Sequence, residues 1–280
     1  MKCYGHFTLI ILCFCLGLHA QKDSIKIKNK DLPQVYNYNN KLDLPLSSVA
    51  TAISLFNFTQ VYSKESSTEE SILTLDPENV NWFDRGAAGN SNPDAKAASD
   101  AIFSAAIPTP LIFFAFDKKM KKDYKRLSLL YWESMSFMGV TYSSSLQFND
   151  RRRPYTYNTD LDMKERRKGG GRNSFFSGHT GLVATSTFFL ASVYADYHPD
   201  SKYKWVLFTS AGAATFFTGF LRVRAGEHFP TDVILGGLVG TASGILVPYF
   251  HKNRLFNNEN LSLIPVTGEY HGLRLTYTFK

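Results

Sequence analysis

From Pro45 onward, apolar residues gather into long runs separated by polar, charge-rich stretches. The runs are Ser47–Tyr62, Ser99–Phe116, Leu127–Leu146, Gly181–Tyr197, Trp205–Leu221 and Val233–Phe250. Each approaches the roughly 20 residues that an α-helix needs to cross the hydrocarbon core of a bilayer. In Ser47–Tyr62 the apolar positions recur at helical spacing. Every run also carries Ser, Thr, Gly or Ala, which let membrane helices approach closely. The pattern predicts an all-α bundle of about six spanning or nearly spanning helices. A soluble bundle with deeply buried helices is the competing reading, and the number of runs near spanning length favours the membrane.

The polar stretches divide the chain. Residues 1–20 read as a signal peptide: Lys2 is basic, the apolar segment Phe7–Leu16 is too short to span, and Leu18-His19-Ala20 precedes Gln21 as a cleavage site. Cys3, Cys13 and Cys15 all fall in this segment, so the mature chain would use neither disulfides nor thiolate chemistry. Residues 21–44 form a polar lead-in, and 45–255 the helical domain. Inside that domain, 64–97 is polar, with Asn81-Trp82-Phe83-Asp84-Arg85 as a surface-lying segment. The tail, 256–280, alternates at period two in Leu261–Pro265 and Leu273–Phe279, which predicts a small hairpin. An outer-membrane barrel needs many more such segments.

Charge adds direction. The chain carries a formal net charge of +7, and basic clusters beside apolar runs point to a membrane and to phosphate-bearing lipids as partners. No nucleic-acid-binding module is recognisable, which excludes nucleic acid. The loop Asp117–Arg126 is dense in Lys and Arg, as expected on the cytoplasmic side. Counting helices from there, 147–179 and 222–231 face outward together while 198–204 faces inward. A cleaved signal leaves residue 21 outside, whereas the same count starts Ser47–Tyr62 inside, so either that helix does not cross or the signal is not cleaved.

Three clusters of reactive side chains fall in the two outward loops: Arg151-Arg152-Arg153-Pro154, Asn173-Ser174-Phe175-Phe176-Ser177-Gly178-His179-Thr180, and Leu221–Asp232. Taken singly, each has a plain structural explanation. An arginine triplet contacts lipid headgroups. Ser177-Gly178 makes an N-cap and its turn. His228 and Asp232 lack further metal ligands at a sensible spacing. Together they fit phosphoryl transfer. The amides of Ser177-Gly178-His179 at a helix start suit a bound phosphate, and Gly178 allows close backbone approach. Arg153 and Arg222 can clamp phosphate oxygens bidentately. His228 attacks phosphorus, with Asp232, four residues on, holding its other ring nitrogen. His179 protonates the leaving oxygen and then activates water. Arginines and helix amides supply the positive charge, so no metal or cofactor is called for.

The order Arg-Pro, Ser-Gly-His, then Arg-x5-His-x3-Asp resembles the type 2 phosphatidic acid phosphatase (PAP2) superfamily, which shares its pocket with vanadium haloperoxidases. The family motifs run Lys-x6-Arg-Pro, Pro-Ser-Gly-His and Ser-Arg-x5-His-x3-Asp. The resemblance implies a PAP2-type helical bundle, with six spanning helices in membrane members and the site on the outer face. By that likeness His228 is the phosphohistidine nucleophile, Asp232 its orienter and His179 the general acid and base, while Arg153, Ser177, Gly178 and Arg222 hold the phosphate. The chain departs from the family in three places: Leu146 stands at the lysine position, Phe176 at the proline and Leu221 at the serine.

The expectation is a metal-independent phosphatase of the cytoplasmic membrane, its site facing the exterior. The resemblance implies substrates such as phosphatidic acid, phosphatidylglycerol phosphate, undecaprenyl diphosphate or lipid A phosphates. Two alternatives stay open: a vanadate-dependent haloperoxidase, and a non-catalytic lipid-phosphate-binding protein, for which Leu146 is the supporting feature. Arg151 or Arg152 is a candidate to replace the motif lysine. Lys164–Arg172 is either a mobile lid or a solvated linker.

Overall fold

A computed structural model of the chain describes residues 35–252, together with the backbone of 261–266 and 272–277. The signal-peptide expectation, residues 1–20, lies outside the described residues, as does most of the polar lead-in. The helices are α1 (Asp43–Tyr62), α2 (Glu69–Leu73), α3 (Pro93–Ala106), α4 (Thr109–Phe116), α5 (Tyr124–Phe148), α6 (Met163–Arg166), α7 (Gly178–Tyr197), α8 (Tyr203–Arg224) and α9 (Pro230–Phe250). Strands β1 (Leu261–Val266) and β2 (Gly272–Tyr277) pair antiparallel, Leu261 opposite Tyr277. Caps set several boundaries: the Asn92 side chain accepts the Ala95 amide ahead of Pro93 at the start of α3, and Ser177 caps α7.

The expected run Ser99–Phe116 is two helices, not one. Ile107 still donates to Phe103 (3.2 Å), but Pro108 and Pro110 have no N–H to continue the ladder, and the chain restarts at Thr109. Carried through this kink, Pro93–Phe116 is one of three segments among the described residues long and apolar enough to cross a membrane; α8 and α9 are the others. Helices α1, α5 and α7 have the length, at 20, 25 and 20 residues, but carry more polar side chains. For α7 the reason is its position. It touches α3, α4, α5, α8 and α9, so protein rather than lipid covers it. Outside, Val49, Phe56, Ile112, Trp205, Phe216 and Leu238 stand exposed, an apolar surface of the kind a membrane covers.

The closest packing is between α7 and α9. A Cβ on Gly236 would lie 2.4 Å from the Ser177 carbonyl oxygen, one on Gly240 2.0 Å from that of Gly181, and one on Gly244 2.6 Å from that of Thr185. These glycines recur every fourth residue on one face of α9, so the two backbones nearly touch. The polar ladder Thr51–Ser136 (2.8 Å) and Asn57–Ser144 (3.1 Å) ties α1 to α5.

The two ends of the bundle differ. At one end Lys119 donates to the Tyr197 carbonyl, His198 pairs with Asp117, and the start of α1 meets the end of α9 through Asp43 and His251. This is the end of the basic loop. At the other converge the starts of α3, α7 and α9 and the ends of α5 and α8, together with segments 147–177 and 222–231. The segment Lys164–Arg172 is anchored there at single points while Lys164, Glu165, Lys168 and Gly170 are exposed: Arg166 is buried with Nε donating to the Thr156 carbonyl (2.9 Å), and Arg167 donates to the Ser67 carbonyl (2.7 Å).

Replacing Gly240 with alanine should cost about 2 kcal/mol or more, because the clash is with backbone that cannot swing aside. Gly212→Ala, where nothing lies within 4 Å, should leave stability unchanged or raise it by up to about 1 kcal/mol. Thermal unfolding in detergent, with the variants side by side, checks both.

Candidate active site

His228 sits in the short link between α8 and α9, almost wholly buried. Its Nδ1 lies 2.6 Å from the Ser174 carbonyl oxygen. A carbonyl only accepts, so Nδ1 carries the hydrogen and Nε2 the lone pair. Among the described residues Nε2 makes no hydrogen bond. Burial, followed by the nearby guanidiniums of Arg153 and Arg222, pushes the His228 pKa well below the ordinary histidine value, although the Ser174 carbonyl works the other way. The ring is therefore neutral near physiological pH and presents an available nitrogen.

Asp232 makes no hydrogen bond to His228. The expectation of a direct hydrogen bond is corrected here, because this carboxylate is engaged elsewhere. Oδ2 accepts the Phe229 amide (2.8 Å) at the start of α9 and the Ser174 hydroxyl (2.6 Å), and Oδ1 accepts Arg151 Nη1 (2.5 Å). Its link to His228 runs through Ser174, whose side chain it holds and whose carbonyl meets the imidazole.

Arg151 is tied back in turn. Besides Asp232 it donates to Thr231 Oγ1 (2.8 Å) and to Asp84 Oδ2 (2.5 Å), and it lies 4.6 Å above the Phe229 ring. Asp84 is fully buried and also accepts the Thr231 amide (2.9 Å), the Thr231 hydroxyl (2.6 Å) and Asn81 (2.7 Å). Burial alone would raise its pKa; these donors outweigh burial and hold it below the usual carboxylate value. Arg152 turns away to Ser67 (3.0 Å) and Ser71 (3.2 Å). Neither arginine replaces the motif lysine.

The remaining cations surround two carboxylates. Arg153 and Arg222 both meet Glu227 Oε2, the latter at 3.4 Å, and Lys96 Nζ meets Glu227 Oε1 at 2.6 Å. Arg222 also donates to Asp100 Oδ1 (2.9 Å), the same oxygen that lies 3.1 Å from His179 Nε2. His179 packs on Phe103, ring centroids 4.5 Å apart. The Nε atoms of both arginines are buried without a hydrogen-bond partner. Buried donors of this kind are costly to leave unmade, and an anion's oxygens are the chemical complement of such a guanidinium.

Ser177 is fully buried and its hydroxyl caps α7, at 3.4 Å from the Thr180 amide and 2.9 Å from the Thr180 hydroxyl. What closely approaches Gly178 is the Tyr142 ring, 2.4 Å from a Cβ placed there. Leu146 is buried at 2% exposure in the last turn of α5. The described His and carboxylate groups close enough to share a metal ion, Asp43, Glu133 and His251, lie at the opposite end of the bundle.

Four side chains here escaped the sequence reading: Asp84, Lys96, Asp100 and Glu227. Asp100 had a signal, a carboxylate inside an apolar run of near-spanning length, and Lys96 stands one turn before it. Glu227 lay inside the third motif without a role. Asp84 sat in a polar segment that offered none.

The model of the PAP2 superfamily matches residues 128–256. The crystal structure of Aquifex aeolicus LpxE is similar at 26% sequence identity, covering 58% of this chain and 90% of that one, with a TM-score of 0.38. A transmembrane PAP2-type phosphatidylglycerolphosphate phosphatase from Bacillus subtilis is similar at 19% identity, covering 75% of this chain and 98% of that one, with a TM-score of 0.46. No curated protein matches the chain.

The neutral state of His228 predicts a pH dependence of stability. Below about pH 6.5 the unfolded chain takes up a proton at this ring that the folded site refuses. The stability tied to the neutral ring is thus present above that pH and is lost as pH falls. Thermal midpoints of the wild type and His228→Gln, compared from about pH 7.5 to about 5.5, should show the wild type losing ground to the variant on acidification. A pH-independent difference would mean the ring is not held neutral.

Proposed function

We propose, starting from the membership of residues 128–256 in the PAP2 superfamily and hence from a phosphoric ester hydrolase, that this membrane protein hydrolyses a lipid phosphate or diphosphate through a phosphohistidine on His228. The observation that carries the reading is the buried neutral imidazole, its Nδ1 fixed on the Ser174 carbonyl and its Nε2 unbonded, in a pocket of arginines.

The lone pair of Nε2 attacks phosphorus as the bond from phosphorus to the leaving oxygen breaks. The ring becomes cationic, and the Ser174 carbonyl, steadied by Asp232, stabilises it at Nδ1–H. His179 gives its proton to the leaving oxygen; in the resting site burial, and then the Arg222 guanidinium, push its pKa down to about 4 against the pull of Asp100, so the negative charge of the bound phosphate must raise it for the ring to carry that proton. The same ring then takes a proton from water, which attacks phosphorus and breaks the P–N bond, releasing phosphate and free His228. Arg153, Arg222 and the α7 N-terminus with Ser177 and Gly178 carry the charge of the equatorial oxygens. With the guanidiniums in place, the reaction draws on no metal.

The site opens at the bundle end opposite the Lys118–Arg126 loop. By the positive-inside rule that end faces the exterior, so the reading places the reaction on the outer face of the cytoplasmic membrane. Apolar helix faces beside the site favour a substrate delivered from the bilayer.

The protein in detergent should release inorganic phosphate from phosphatidic acid or an isoprenyl diphosphate without added metal, and orthovanadate should inhibit it. His228→Ala should lower kcat by at least about 1,000-fold. Persistent turnover in that variant, or loss of wild-type activity to a chelator, would overturn the mechanism. A panel of lipid phosphates names the substrate.

A further inference from the structure

The Lys96–Glu227 pair has no counterpart in the three motifs, and its placement is unusual for a surface ion pair. Lys96 lies in the second turn of α3, four residues before Asp100, so both side chains project from one face of that helix. Asp100 is already bound to His179 and Arg222. Lys96 therefore reaches the same pocket from the same face, and its ammonium ends 2.6 Å from Glu227 Oε1 while Arg153 and Arg222 hold Oε2.

Exposure orders the three cations. The side chain of Lys96 is 54% exposed, that of Arg153 17% and that of Arg222 4%. Lys96 stands at the mouth and the arginines lie beneath it. Three cations face two carboxylates, Glu227 and Asp100, and His228 adds no charge while neutral. The pocket thus keeps a surplus positive charge, its two arginines buried and its lysine half exposed at the rim, an arrangement that an anion completes. An entering phosphate meets the ammonium first.

We propose that Lys96 is a phosphate-contacting residue, supplying from α3 the ammonium that the first motif lacks at Leu146, with Glu227 positioning it between substrates. This rests on the phosphatase reading above. Lysine suits the place: a point charge on a flexible stem can leave the Glu227 oxygen for a phosphate oxygen without the fixed fork of an arginine.

The test measures inorganic phosphate binding to the full chain in detergent by calorimetry, alongside lipid-phosphate kinetics. Lys96→Met should weaken phosphate binding and raise KM by about 10- to 100-fold, with kcat changed far less, and Lys96→Arg should recover most of the loss. In a Glu227→Gln background Lys96→Met should still weaken phosphate binding, whereas a residue that acts only by pairing with Glu227 would add nothing. Unchanged phosphate affinity and KM in Lys96→Met would overturn the assignment, as would a Lys96→Met change that adds nothing in the Glu227→Gln background. Wild-type protein that binds no phosphate, or His228→Ala that keeps full turnover, would instead sink the phosphatase reading itself. Lys96→Gln serves if the methionine variant does not fold.

Discussion

The site depends on how closely α9 lies against α7. Gly236, Gly240 and Gly244 leave α9 without a Cβ where it meets the α7 backbone, and the Ser177 amide donates to the Asp232 carbonyl across that contact at 3.0 Å. That contact fixes the start of α7 relative to the start of α9. The first presents its backbone amides; the second carries Asp232, with His228 just ahead of it. Between them runs Ser174, whose hydroxyl and carbonyl address the two residues separately. A side chain anywhere on the glycine face would separate these groups, which is why small residues dominate where a membrane helix would otherwise carry leucine.

Around this frame, charge is arranged in two compartments. Behind His228, Asp84 and Asp232 bracket Arg151, and the trio is closed: every oxygen and every terminal nitrogen has a partner. In front, Arg153, Arg222 and Lys96 outnumber Glu227 and Asp100, and two guanidinium Nε atoms stay unpaired. A closed network rigidifies, whereas an open, positively biased one binds anions. The two compartments meet at His228, which is held from behind and draws the depression of its pKa from burial and from the cations in front. Removing its proton costs nothing at neutral pH, so the ring is ready to act as a nucleophile.

Much of this was legible in the residues. The apolar runs located the long helices, and the spacing of the motifs put Arg153, His179, Arg222, His228 and Asp232 in loops that the fold brings to one end. What the spacing did not convey was connectivity. Asp232, four residues after His228, invited a direct bond, but the helix start at Pro230 turns its carboxylate to the Phe229 amide. The acceptor for His228 is a main-chain carbonyl, and no side-chain pattern records one. Asp84 came from a segment whose exposed Trp82 and Phe83 suggested only surface. The kink after Ala106 was written in Pro108 and Pro110 and was outvoted by the apolar run around them.

Leucine at position 146 becomes intelligible from the same geometry. That turn closes α5, and its carbonyls form the negative end of a helix dipole, which favours a cation nearby. Lys64, arriving after the end of α1, already supplies one: its ammonium donates to the carbonyls of Leu146 (3.1 Å) and Asn149 (3.2 Å) and pairs with Asp150 (3.1 Å). An ammonium at the buried Leu146 position would lose its hydration. Lys64 thus neutralises the end of α5, and the phosphate contact falls to Lys96 on α3.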